Sequence, residues 1–342
     1  MRGAGGRAVA AVKANPKLAV RVGYGFAFVN AVVSGVSVYV NALGVAHFNN
    51  AVVYTTLKNG VSGAVLLVIA CLVRSQREKY KRLSVADWGW LLLVAILAGS
   101  AGFALYFSGL KLANPVTGSL ENHLEFIVVA VLAVALLKER LSASMWAGIG
   151  VLTAGVLLSS TLGLLVFNKG TVLMGLSTLI FAAGWVVVKH MLGGRISPMV
   201  VMTGELTLGA VLLFAYLAVR GQLGPLGHLD AVQWAYVIGT GLILLVFTAT
   251  VYAAIRLVRV SAVTAIGTGA PLVTILVDLA ANKPVSLAND ALGLSLTFVA
   301  VVAVLVVGLR QETGQVQVGQ SQVAQSQVGP VSLPLAKGAS AS

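Results

Sequence analysis

Five ionisable residues stand inside long apolar stretches of this chain: Lys58, Glu121, Glu125, Glu205 and Asp278. If those stretches cross a bilayer, each charge costs about 2.5–3.5 kcal/mol on insertion scales and needs water, a partner or a substrate. Lys58 and Glu205 lie 147 positions apart, each about a third of the way into its stretch. A cation and an anion facing one cavity would hold the carboxylate and amine of a zwitterionic solute. Alternatively, they would form a structural ion pair. Glu121 and Glu125 are four apart and share one helix face, whereas His123 points about 200° away. The trio therefore makes no metal site from one face, but two carboxylates beside a cavity would bind a cation or relay a proton. Asp278 sits near the end of its stretch, where water would solvate it.

Other residues could shape such a site. In Gly267-Thr268-Gly269-Ala270-Pro271 the proline removes a helix hydrogen bond and the glycines permit unwinding. Broken helices at mid-depth line many transporter sites, which makes Gly269 and Pro271 candidates. Trp185 would stack a substrate ring, or else belt an interface. Asn59, like Asn30 and Asn41, would hydrogen-bond a ligand or a neighbouring helix. No G-x-x-x-x-G-K-[ST] loop is present, which argues against an ATPase motor. His47, His123, His190 and His228 are scattered, and no nucleophile has a visible base beside it. No cofactor is implied.

The elements that must position these residues follow from composition. Of 342 residues, 58% are hydrophobic and only 10% charged, too few charges to clothe a water-soluble surface. The apolar residues fall into blocks near bilayer length. Ten spans are expected: Val22–Val45, Ala51–Val73, Trp88–Leu110, Val116–Leu137, Met145–Phe167, Thr171–Val188, Pro198–Val219, Trp234–Ile255, Ala262–Ala281 and Ala291–Leu309. With no water to satisfy a spanning backbone they must be helices, and none has the period-2 alternation of a barrel strand. The expected fold class is all-α integral membrane.

The net charge of +13 does not indicate nucleic acid, because the basic residues lie between the blocks and form no face. With the N-terminus inside, 18 Lys and Arg fall on the inner side and 4 on the outer, with Lys58 within a span. That asymmetry follows the positive-inside rule and supports both the count and the orientation. Residues 1–21 are expected to be a basic cytoplasmic tail without a signal peptide's apolar region. Residues 310–342, rich in Gln, Ser and Val, are expected to be a disordered cytoplasmic tail. Cys71, the single cysteine, has no intrachain partner.

The chain also repeats itself. Gly63-Ala64-Val65-Leu66-Leu67 recurs as Gly209-Ala210-Val211-Leu212-Leu213, an offset of 146 that also places Tyr106 on Tyr252. Residues 22–167 and 168–309 are therefore expected to be two five-helix repeats. Five is odd, so the second enters the membrane inverted, the plan of many secondary transporters.

The segment LEFIVVAVLAVALLKERL, with Glu125 and then Glu139-Arg140-Leu141, resembles the drug/metabolite transporter superfamily with EamA-type repeats. Thr55 to Asn59 and Tyr252 to Ala265 are similar to its second helix and to a second-half loop. The likeness covers most of Val22 to Leu309. Phe126 stands where that family has proline, and Ala281-Asn282-Lys283-Pro284 where a Gly-Glu ending is usual. The resemblance implies ten helices and transport of small metabolites, often amino acids or drug-like compounds. The sequence thus points to a non-enzymatic secondary transporter of the cell membrane with both termini cytoplasmic. A small-molecule solute and the lipid bilayer are its partners, a proton is a coupling-ion option, and export is slightly favoured. A lipid-modifying membrane enzyme and a channel are the alternatives.

Overall fold

The computed structural model describes residues 15–112, 115–139, 141–158, 168–194, 196–281, 295–296, 298–314 and 317, with backbone alone at 115–124, 126, 152–153, 155–158, 225 and 271. Among the described residues every regular element is a helix. In chain order these are α1 Pro16–Ala46, α2 Ala51–Leu72, α3 Arg74–Lys81 and α4 Val85–Leu112. Then come α5 Pro115–Leu137, α6 Ala143–Leu158, α7 Lys169–Gly193, α8 Pro198–Val219 and α9 Ala231–Leu257. The order closes with α10 Val260–Gly267, α11 Ala270–Ala280 and α12, 298–314.

Helix starts coincide with polar caps that satisfy free N–H groups. Asn15 caps α1, whose first residue is proline, and Asn50 caps α2. Reciprocal capping boxes open α4 with Ser84 and Asp87, α7 with Asn168 and Thr171, and α9 with Asp230 and Gln233. Seven helices, with Val260–Ala280 counted as one, are long and apolar enough to cross a membrane. Among the described residues the ten expected spans therefore stand at seven by this measure. The ninth expected span is broken, with Thr268 and Gly269 in a turn between α10 and α11. The charged stretch after α2, read only as an inner loop, forms the short helix α3. Within α4 the residues Ala95–Ala101 widen into a π-helix, where Ser100 Oγ donates to the carbonyls of Ala95 and Ile96.

The two halves pack in matched fashion. Helix α1 lies along α9 and α4 lies along α7; α10 and α11 pack on α1 as α5 packs on α7. Both long pairings are antiparallel. Gly23 approaches Val258 while Asn30 bonds to Phe247, and Gly102 approaches Phe181 while Gly109 approaches Gly170. The repeat mates α2 and α8 cross each other antiparallel, with Gly60 near Phe214 and Gly63 near Leu206. Where α4 meets α8, Gly99 and Gly209 bring their backbones together without side chains between them, the small-residue contact typical of membrane helices.

The connections gather at two ends. At one, Lys111 donates to the carbonyls of Phe48 and Asn49, Asn50 to Gln222, and Gln233 to the carbonyl of His47. At the other, Gln311 bonds to Ser142 and Arg259 pairs with Glu312 at 3.4 Å. Large apolar side chains such as Phe28, Val68, Leu136, Val211 and Phe298 point outward. In lipid that exposure carries no hydrophobic penalty.

Candidate functional site

A partly open cavity lies between the halves. Helices α1, α2, α4 and α5 of the first half and α7, α8 and α9 of the second all line it. It gathers Lys58, Glu125, Trp185 and Glu205. Lys58 projects from α2 and Glu205 from α8, each the eighth residue of its helix. The crossing of those repeat mates brings both to the same space.

Lys58 is 2% exposed. Its Nζ lies 3.4 Å from Asn41 Oδ1 and sits over the rings of Phe107 and Phe103, at 4.2 and 4.8 Å from their centroids. Desolvated cation–π contacts of this kind contribute about 2 kcal/mol. Asn41 is held in turn by the Tyr54 hydroxyl at 2.8 Å, and its own amide donates to Ser37. Among the described residues Lys58 forms no salt bridge with Glu205, so the alternative of a structural ion pair is not made. Glu205, 5% exposed, accepts the hydroxyl hydrogen of Tyr252, and Glu125 accepts the indole hydrogen of Trp185. Trp185 stands edge-on to Tyr252, with centroids 6.1 Å apart at 84°. The two carboxylates thus bond to one aromatic pair, Trp185 and Tyr252, while another, Phe103 and Phe107, cages the ammonium.

The other sequence candidates fall elsewhere. Asn59, next to Lys58 but turned about 100° around the helix, is fully buried and donates to the carbonyl of Gly99 at 3.1 Å. It ties α2 to the π-turn and does not line the cavity. Gly269 is buried against Val301 and the carbonyl of Ile266, and the side chain of Pro271 lies outside the described residues, as does that of Glu121.

Glu139, noted in the sequence only as part of the Glu139-Arg140-Leu141 ending, reaches across to the other half. Its carboxylate accepts from the backbone N–H of Val260 at 3.1 Å and from Ser261 Oγ at 2.6 Å. The end of α5 in one half therefore caps α10 in the other, where a negative charge suits the helix dipole. Arg140 lies outside the described residues. Sequence reasoning missed the aromatic wall of Phe103, Phe107, Phe181 and Phe247. It noted Tyr252 only as the repeat mate of Tyr106, and both line the cavity.

A helical membrane protein of two repeats with a polar cavity at their interface is the architecture of a membrane transporter. The model of the EamA-like transporter family matches residues 21–161 and again 168–306; the chain belongs to that family. A protein named "Uncharacterized transporter in cobO 3'region" from Sinorhizobium sp is 32% identical over 117 residues, 34% of this chain and 80% of the relative. The Bacillus subtilis (strain 168) "Uncharacterized transporter YyaM" is 30% identical over 161 residues, 45% of this chain and 51% of its own length. A solved crystal structure, described only as a protein, aligns with a TM-score of 0.68 over 86% of this chain and 98% of its own, at 18% identity; the likeness is one of fold.

Proposed function

We propose that this transporter is a secondary carrier that binds a small zwitterionic organic solute, an amino acid or a related compound, between Lys58 and the carboxylates of Glu205 and Glu125. The observation that carries this reading is the gathering of one ammonium and two carboxylates in a single buried cavity, the cation unpaired with either. A solute carboxylate would draw Lys58 from its aromatic cage, and a solute amine would replace the indole or phenol on a carboxylate. Trp185 would flank an apolar side chain. Such exchanges cost little because every displaced group already faces the cavity.

In this reading the repeats, 22–167 and 168–309, are inverted five-helix units that rock about the cavity. They complete ten spans in the plasma membrane, with both termini in the cytoplasm and net export. The antiparallel crossing of α2 and α8 supports the inversion, and the basic residues of α3 support the orientation. The test is counterflow in proteoliposomes with a panel of radiolabelled amino acids and aromatic amines. Saturable exchange is expected for at least one zwitterion and should fall at least tenfold in both Lys58→Ala and Glu205→Gln, about 1.4 kcal/mol of lost binding each. Undiminished exchange in both variants removes the assignment. Unsaturable flux would indicate a channel, and lipid turnover an enzyme.

A further inference from the structure

A second pocket, with about 460 Å³ of empty space, adjoins the central cavity and shares Ser34, Glu125 and Trp185 with it. It extends to the break between α10 and α11, where Gly267 and Thr264 form its far wall, and Asn30 closes it on the α1 side. The solute reading above makes no use of Asn30, Thr264 or Gly267.

Among the described residues, Asn30, Ser34, Thr264 and Glu125 bring oxygen to this pocket, and the indole N–H of Trp185 is spent on Glu125. Asn30, 4% exposed, spends its amide nitrogen on the carbonyl of Phe247 at 2.9 Å and on Thr250 Oγ1 at 3.1 Å, which leaves its oxygen for the pocket. Thr264 donates its hydroxyl hydrogen to the carbonyl of Val260 at 3.0 Å and keeps its lone pairs. Gly267 ends α10, and four residues on stands Pro271, which has no N–H to return to its carbonyl. Ser34 adds a hydroxyl. Glu125 adds the single carboxylate among the described residues, one oxygen of which holds Trp185. Among the described residues no Lys or Arg lines the pocket.

We propose that this pocket binds an alkali cation, which couples to the solute site through Glu125. Hard cations take oxygen ligands, and the carbonyl end of a broken half-helix is a favourable place for one. One carboxylate balances a monovalent charge. A divalent ion would retain an uncompensated charge in a low-dielectric site. The space takes the ion with part of its water shell. Because Glu125 lines both spaces, occupation of the pocket bears on the charge presented to the solute.

The use of the cation rests on the carrier reading, but its binding does not, and the experiment separates them. Purified protein in detergent is titrated with NaCl, and with choline chloride at equal ionic strength, while tryptophan emission is followed. Trp185, bonded to Glu125, is the reporter, and Trp185→Phe supplies the background of the other tryptophans. A saturable Na+ response that is absent with choline and absent in Trp185→Phe supports the site. Thr264→Ala should raise the half-saturating Na+ concentration about tenfold, as expected for the loss of one polar ligand, and Glu125→Gln should abolish the response. Should Glu125→Gln fail to fold, Thr264→Ala and Ser34→Ala carry the test. A flat titration, an equal response to choline, or a response to pH alone overturns the proposal. Na+ binding without solute flux in proteoliposomes leaves the site standing and removes the carrier reading; solute flux with no Na+ response does the reverse.

Discussion

Replacing Gly209 by alanine tests how the cavity is held. A Cβ at Gly209 would meet the carbonyl oxygen, carbonyl carbon and Cα of Gly99 at 2.5, 2.6 and 2.6 Å, all backbone atoms that cannot rotate away. Ordinary contact begins at 3.4 Å, so α4 and α8 must part by roughly 0.9 Å in an interior packed like a crystal. Overpacking of this kind costs about 1–3 kcal/mol. The Asn59 bond to Gly99, at 3.1 Å, is stretched in the same movement, a further loss of about 1 kcal/mol. Against this stands the helix preference of alanine over glycine, about 1 kcal/mol. The net expectation is a destabilisation of about 1–3 kcal/mol. Gly89→Ala is the control, since nothing lies within 4 Å of a Cβ there, and it should stabilise by up to about 1 kcal/mol. Both variants are heated in detergent and the remaining folded fraction is read by fluorescence-detected size exclusion. If Gly209→Ala melts at or above Gly89→Ala, the backbone contact is not what joins these helices. Because a Cβ on Gly99 would likewise strike the carbonyl of Glu205, the displaced wall should also weaken solute binding.

Other outcomes follow from single contacts. Glu139→Ala removes the cap on α10 and should cost about 0.5–2 kcal/mol in thermal stability, a loss that Glu139→Gln partly restores. Tyr252→Phe leaves the Glu205 carboxylate without its donor. It should change half-saturation for the solute about tenfold in exchange assays, with folding intact by size exclusion. Single cysteines at Ser84 and His228 in a Cys71→Ser background should be labelled by an impermeant maleimide from opposite sides of sealed vesicles. Labelling of both from one side would invalidate the alternating topology.

The apolar blocks were legible because hydrocarbon thickness and the scarcity of charge leave few ways to divide such a chain. Lys58 and Glu205 could be paired as repeat mates because the offset carries one onto the other within a residue. What each touches was not legible. The partners of Glu205 and Glu125 depend on how α8 packs against α9 and α5 against α7, and neither Tyr252 nor Trp185 stands near its carboxylate in sequence. Asn59 misled by adjacency, since one step along a helix turns a side chain away from its neighbour's face. The break at Gly267–Pro271 was visible from the proline and glycines, but its first turn opens on the side pocket while Gly269 backs onto Val301. The contacts of Glu139 with Val260 and Ser261 were not legible, because those partners lie 121 and 122 residues away, in the other half.

The pairing of α1 with α9 and of α4 with α7 bears on how the polypeptide comes together. Among the described residues each half lends its long helices to the other, so a fragment ending at residue 167 would leave the inner faces of α1 and α4 without their covering. Neither fragment is then a miniature carrier. Severed pieces should be degraded when made singly and accumulate only when co-produced, and during synthesis the helices of the first repeat are expected to wait in the bilayer, incompletely docked, for their counterparts to arrive.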